Sequence, residues 1–242
     1  MKVDLESSTP LYLQLKAVLH SAIETGELPN GSRLDPEAVL SEQFGVSRIT
    51  VRHALAELTK EGLLERRRGK GTFVKPLIHR RLEYLMSFSE SCAACGIKPS
   101  ARVLNRSVEA PTAEDIHNLP SLEGTQLLHI SRVRKGDKTP FIYENNYYPL
   151  PRYEFLNSEP LKGSLYQLLA QKHGIRVSRS TGCYLEVMRA GEHNGNILNV
   201  FPDEPLFYLY SVIFDDTGAL VHIGKQYLVC ARFRFYLGDF QK

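Results

Sequence analysis

Several absences narrow the reading of this 242-residue chain before any motif is considered. No apolar run approaches the length of about 18 residues that a membrane-spanning helix needs, so no membrane partner is expected. The opening stretch MKVDLESSTP has no apolar core followed by a small-residue cleavage site. A secretory signal is therefore not read there, and a cytoplasmic location is expected. Common catalytic signatures are missing: no H-E-x-x-H, no G-x-S-x-G, no Rossmann glycine fingerprint and no G-x-x-x-x-G-K-S/T. No catalytic residues and no cofactor are assigned. Cysteine is scarce, at four residues. A cytosolic chain of this length needs no disulfide among Cys92, Cys95, Cys183 and Cys230. Cys92-x-x-Cys95 would need two more ligands to hold zinc, and no second C-x-x-C exists. These cysteines read as ordinary helix or loop residues, and no metal is expected.

What is present is a hydrophobic share of 43%, enough for packed cores in one large domain or a small and a medium one. The net charge of +3 is uninformative by itself. Its placement is more telling: residues 45–75 hold eight basic and three acidic side chains, a net +5. A concentrated basic segment is the footprint expected of a nucleic-acid contact.

That segment sits in an ordered series of capped elements. Thr9-Pro10 followed by Leu11, Leu15, Val18, Leu19 and Ala22 predicts an amphipathic helix capped by Thr9 and opened by Pro10, with Gly26 as its stop. Asp35-Pro36 is read the same way for a second helix that carries Ala38, Leu40 and Phe44 inward and ends at Gly45, with Val46 tucked into the core. Ser47 caps a third helix, over about residues 48–61, whose buried stripe is Val51, Ala54, Leu55 and Leu58, with Ile49 packed near its start. Its outward set is Arg48, Thr50, Arg52 and His53, clustered where a recognition helix meets DNA. Leu63–Arg68 and Thr72–Val74 predict two short strands joined by the tight turn Gly69-Lys70-Gly71. Lys70 stands at the tip. Arg66, Arg67 and Arg68 alternate in direction, so not all three can touch DNA.

A helix, a glycine-containing turn, a capped basic helix and a basic hairpin make a winged helix-turn-helix. Charge alone would also fit a solvated surface, and the hairpin could bind a phosphate ligand. The tandem of motifs favours double-stranded DNA. RNA is disfavoured because no exposed aromatic platform accompanies the basic segment. The stretch resembles the GntR superfamily of bacterial regulators through Pro10-Leu11-Tyr12, Ser41–Arg48, Thr50-Val51-Arg52, Ala54-Leu55 and Glu61–Val74. That resemblance implies DNA contacts from Arg48, Thr50, Arg52, Lys70 and Gly71. Arg68 and His53 complete the candidate set. Ala38 stands where the family carries a phosphate-binding arginine, which implies a shifted operator preference or a weaker backbone grip.

Lys75–Arg81 breaks the pattern. The reading is a head over residues 1–75, a linker over 76–82 in which Pro76 discourages a helix, and a second domain over 83–242. Extended stretches are expected at 101–109, 126–135, 140–149, 176–188, 206–214 and 219–230, with helices after Thr112 and Ser164. Largely antiparallel strands with segregated helices give an α+β domain, so the fold class is multidomain. Arg132 and Arg134 share one strand face and could grip an anion. Ser164 lies at a helix start that favours phosphate or carboxylate, and Glu144 on the next strand could accept a hydroxyl or an amine. Solvated arginines, an ordinary cap and a surface glutamate are the plainer alternatives.

The second domain resembles the UTRA domain of the HutC subfamily, carried by Arg132, Pro140, Glu144, Tyr147-Tyr148-Pro149, Gly163–Tyr166, Gly174, Pro205-Leu206, Tyr227 and Arg232. The resemblance implies a fold like that of chorismate lyase, used for sensing phosphosugars and other small polar or anionic molecules. Arg132, Arg134 and Ser164 would then hold a phosphate-like group, and Glu144, Arg176 and Tyr227 would orient the rest. Tyr166 and His222 complete the candidate site. His222 replaces an expected acidic residue, and Cys230-Ala231 replaces Gly-Asp. The expected function is a homodimeric repressor that binds a palindromic operator and is released or repositioned by a small-molecule effector. The alternatives are an activator, an effector-independent repressor whose second domain only dimerises, or, less favoured, a tethered enzyme.

Overall fold

The computed structural model describes residues 3–4, 7–75, 77–81 and 86–236. The chain divides into two compact units, Met1–Ile78 and His79–Lys242. In the first, α1 (Leu11–Thr25), α2 (Glu37–Phe44) and α3 (Arg48–Lys60) are followed by the hairpin β1 (Leu64–Arg67) and β2 (Gly71–Val74). Its core gathers Leu15, Leu19 and Ile23 of α1, Leu40 of α2, the stripe Val51, Ala54, Leu55 and Leu58 of α3, and Leu64 and Val74 of the hairpin. Val46 is buried, as expected.

The Ser47 cap forms: its Oγ accepts from the Thr50 amide at 3.1 Å. The other two caps differ from expectation. Pro10 and Pro36 themselves occupy the cap positions, with no side-chain cap bond, and the helices begin one residue later. Each proline is held extended (ψ 133° and 146°), so Thr9 and Asp35 sit one residue too far out to cap. Ile49 also departs from expectation: it is 78% exposed, because the four stripe residues already fill the inward face. The hairpin pairs Leu64 with Val74 and Arg67 with Gly71, leaving Arg68-Gly69-Lys70 as the turn.

The second unit begins within β3 (Ile78–Arg81), which pairs with the last strand, β10 (Phe233–Tyr236). Most of the expected linker is thus strand, while Pro76 and Leu82 lie outside the described residues. There follow α4 (Phe88–Ala94), β4 (Pro99–Glu109), α5 (Ala113–Asn118), β5 (Leu127–Gly136), β6 (Thr139–Pro149), α6 (Leu165–His173), β7 (Val177–Arg189), α7 (Gly191–Leu198), β8 (Pro205–Asp215) and β9 (Leu220–Val229). The six long strands form one antiparallel sheet in the order β4-β5-β6-β9-β8-β7. Side-chain alternation sends the sheet's residues into separate cores on its two faces. Leu128, Ile130, Tyr148 and Ile213 pack with Leu165 and Leu169 of α6. Tyr210, Val212 and Ile223 pack with Leu122 and Leu127 in the other cluster. β7 is an edge strand of 13 residues, most of them exposed.

Two helices escape the sequence reading. α4 opens with a full capping box, in which Ser87 Oγ accepts from the Glu90 amide and the Glu90 carboxylate accepts from the Ser87 amide. α7 is short and begins at a glycine. Cys92 is buried in α4, and none of the four cysteines is in a disulfide. Among the described residues no helix is long and apolar enough to cross a membrane.

Replacing Ser47 with Ala removes the α3 cap and should cost about 1 kcal/mol. Faster amide exchange through α3 in the intact chain would report it; unchanged exchange would deny the cap its role.

Candidate nucleic-acid interface and candidate ligand cavity

On the head, one carboxylate organises the basic surface. Glu37, in the first turn of α2, accepts from Arg52 Nη2 of α3 at 3.0 Å and from Arg66 Nη2 of β1 at 3.1 Å. The start of α2, the recognition helix and the root of the wing are therefore joined on one side. Arg67 turns away, pairing with Glu65 and lying 4.3 Å from the Phe73 ring centre. Arg48, Arg68 and Lys70 are exposed and, among the described residues, make no ion pair. Thr50 Oγ1 lies 2.9 Å from Ser47 Oγ. His53 is less free than expected: its ring stacks on Tyr12 of α1 at 3.8 Å. Gly71 has φ +111°, and a Cβ there would come within 2.9 Å of Arg33 Nε. Its role is to let the hairpin close against Arg33. Sequence reasoning misses Glu37 as a bridge and Ile49 as an exposed apolar group. In sequence Glu37 is only a favourable first-turn acid, and Ile49 resembles an ordinary core residue.

On the second unit, the inner sheet face encloses a cavity of about 130 Å³. Strand alternation delivers its lining: Arg132 and Arg134 from β5, Glu144 and Asn146 from β6, Ser211 and Ile213 from β8, His222 and Gln226 from β9. Leu165 and Tyr166 close it from α6, and Ser87 and Phe88 from the start of α4. The arginines and the glutamate are not solvated, with 1%, 3% and 4% of their surface exposed. Arg132 Nε donates to Glu144 Oε1 at 2.7 Å, and its Nη1 donates to the carbonyls of Leu161 (3.2 Å) and Gly163 (3.3 Å). Arg134 Nη1 stands 3.7 Å from the same carboxylate oxygen, and its Nη2 donates to Ser89 Oγ at 2.9 Å. Burial works against the Glu144 charge, but Arg132 and Arg134 outweigh it and hold the carboxyl below its ordinary range.

The two arginines therefore divide their work. Arg132 is a strut that fixes Glu144 and the loop before α6. Arg134 keeps its buried Nε without a hydrogen-bond partner among the described residues, as does Asn146 Oδ1. Unpaired polar atoms on side chains around a cavity are what a bound polar molecule would satisfy. His222 is fully enclosed, and burial pushes its imidazole down to about 4. It is neutral at ordinary pH, with Nε2 3.1 Å from Tyr166 Oη.

Three expected ligand residues do not meet there. Ser164 caps α6, accepting from the Gln167 amide at 3.3 Å, and is not part of the lining, although Leu165 and Tyr166 after it are. Arg176 is exposed, beyond the end of α6. Tyr227 faces the opposite side of the sheet, stacked on Tyr143 at 5.7 Å and tilted against Tyr208, because β9 alternates and its neighbour Gln226 takes the cavity side. Sequence reasoning also misses the lining residues Ser211, Asn146 and Gln226. Gly224 lies between them: a Cβ would come within 2.9 Å of Ser211 Oγ and 3.4 Å of Asn146 Oδ1.

A winged helix-turn-helix head followed by an α+β sensor domain defines a transcriptional regulator, not an enzyme. The profile of the bacterial regulatory proteins of the gntR family matches residues 11–74, and that of the UTRA domain matches residues 94–234. The chain belongs to the gntR family, in its HutC-like, UTRA-bearing branch. It is 30% identical to the transcriptional repressor NagR of Bacillus subtilis, over 97% of either chain. It is 29% identical to a probable fructoselysine utilization operon repressor of Escherichia coli, covering 89% of this chain and 88% of that one. Its fold is similar to that of PhnF from Mycobacterium smegmatis, with a TM-score of 0.67 at 25% identity, covering 94% of this chain and 99% of that one.

The buried imidazole makes a pH prediction. Unfolded, His222 takes up a proton near 6.5; folded, it resists until about 4. Its contribution is whole above 6.5 and is lost as the pH falls from 6.5 towards 4, on the order of 3 kcal/mol by the lower end. A His222→Gln chain should show a flatter melting temperature against pH over that window; an identical acid limb would contradict the assignment.

Proposed function

We propose that this chain is a cytoplasmic repressor that grips a two-fold operator as a homodimer and is released or repositioned when a small anionic metabolite enters the second-unit cavity. A phosphorylated sugar is the best chemical match. The observation that carries this reading is the buried cluster of arginines, which among the described residues outnumbers the carboxylate beside it. Buried charges call for partners, and a phosphate ester supplies them. The fructoselysine operon repressor, a relative by sequence, supports a sugar-related effector.

In this reading the working modules are residues 1–75, a linker over 76–82, and 83–242. Arg48, Thr50 and Arg52 meet the major groove, and Ile49 adds an apolar surface for a thymine methyl. Arg68 and Lys70 reach phosphate or the minor groove from the wing. Glu37 holds Arg52 and Arg66 ready until phosphate replaces it. One head makes few contacts, so two heads on a two-fold site are needed. The long β7 edge, with Val187 and Met188 exposed, supports pairing with a second copy. An effector acts only if it binds the DNA-competent and incompetent arrangements unequally.

Two measurements test this. Substituting Arg52 with Ala should weaken specific DNA binding at least tenfold and leave ligand binding intact, while Lys70→Ala should lower the salt slope by about one unit if it meets phosphate. An Arg52 variant with wild-type affinity would contradict the interface. Separately, titrating sugar phosphates into a gel-shift with DNA upstream of the chain's own gene should raise the apparent Kd for at least one of them. No change with any would refute the effector reading.

A further inference from the structure

One cavity residue comes from β3, outside the six-stranded sheet and next to the end of the first unit. Arg80 sits on β3, two residues past Ile78, where the first unit ends, and lines the same cavity as Arg132, Arg134, Glu144 and Tyr166. Its Nη2 donates to the Met86 carbonyl at 3.0 Å. Among the described residues Arg80 makes no ion pair. Among the described residues, three guanidiniums and one carboxylate line the cavity, and that carboxylate is already shared by Arg132 and Arg134. Among the described residues no carboxylate is therefore left to pair with Arg80. Desolvation lowers its pKa, with Tyr166 and Glu144 acting the other way. His222, which faces the same space, is neutral and offers no negative charge.

We propose that Arg80 is a ligand-sensing residue that an oxyanion in the cavity engages together with Arg134, so that occupancy is felt directly by the strand that follows the DNA-binding head. This rests on the anionic-effector reading above and adds where the signal is taken off. Free energy of ligand binding changes the state of a distant element only through contacts that differ between states. The other described lining residues lie at position 86 or later, well inside the second unit. Among the described lining residues, Arg80 alone puts ligand contact energy on backbone adjoining the head. Its bond to the Met86 carbonyl holds the guanidinium at the cavity before a ligand arrives.

The test uses the full chain, with inorganic phosphate as the probe at constant ionic strength. Melting temperature gives the affinity, and amide exchange reports on residues 79–81 and on residues 132–134. In the wild type, phosphate should raise the melting temperature and protect both segments. Arg80→Gln should weaken phosphate binding about tenfold or more, in line with loss of one charge-assisted contact. At saturating phosphate it should lose the added protection at 79–81 and keep it at 132–134. Arg80→Lys keeps the charge and should recover most of the affinity, which also guards against a folding defect in the Gln chain.

Unchanged affinity in Arg80→Gln, alongside a loss in Arg134→Gln, would overturn the Arg80 assignment and leave the anionic cavity standing. So would weakened binding with full protection retained at 79–81, or a Lys variant as weak as the Gln one. Absence of any phosphate effect on the wild type would overturn both the cavity reading and this one.

Discussion

A guanidinium and a carboxylate enclosed together on the inner face of the sheet set the terms for the whole sensor domain. Arg132 and Glu144 are directly opposed across β5 and β6, so the register that pairs the strands also pairs the charges. Removing either partner would leave a bare buried charge, a penalty of about 3–5 kcal/mol in comparable cases. The consequence extends outward. Arg132 also holds the carbonyls of Leu161 and Gly163, which fixes the entry to α6 and hence Tyr166 beside His222. Cavity wall, helix and strand register share one electrostatic origin, and Arg134 is left with capacity to spare.

The head uses the same chemistry at the opposite extreme of burial. Glu37 also serves two arginines, but Arg52 and Arg66 have 64% and 50% of their side chains exposed. Solvent-exposed pairs contribute little, at about 0–1 kcal/mol each. In the proposed DNA-binding role that weakness is useful: a carboxylate can position the two cations at small cost and would give way to a phosphate, whereas an enclosed pair could not exchange partners.

Much of this is legible from residue order. Ser47 followed by Arg48, Thr50 and Arg52, the glycine-tipped basic hairpin, and the alternation that sets Arg132 and Arg134 on one face all read correctly, because each depends on spacing within one element. The failures depend on what lies across a gap. Ile49 passes for core until Val51, Ala54, Leu55 and Leu58 are seen to fill the inward face of α3. Tyr227 and Gln226 are neighbours, and only the pairing of β9 with β6 and β8 decides which of them meets the cavity. Arg176 depends on where α6 ends. Arg80 reads as linker because β3 is short and finds its partner, β10, only at the far end of the second unit. The α4 capping box is different in kind: Ser87 and Glu90 stand at the right spacing in the sequence itself, and no tertiary contact is needed to see it.

The two-sided character of β9 has an evolutionary consequence. His222, Gly224 and Gln226 serve the cavity side, while Ile223 and Tyr227 pack into the cores behind the sheet. On the proposed reading of the cavity, His222 and Gln226 can therefore change towards a new metabolite without disturbing the residues that pack behind the sheet. His222 stands where relatives are expected to carry an acid, and Gly224, which leaves no room for a side chain beside Ser211 and Asn146, marks how far such drift can go. With the effector seated there, a lineage could change what it senses at these positions and keep the same scaffold throughout.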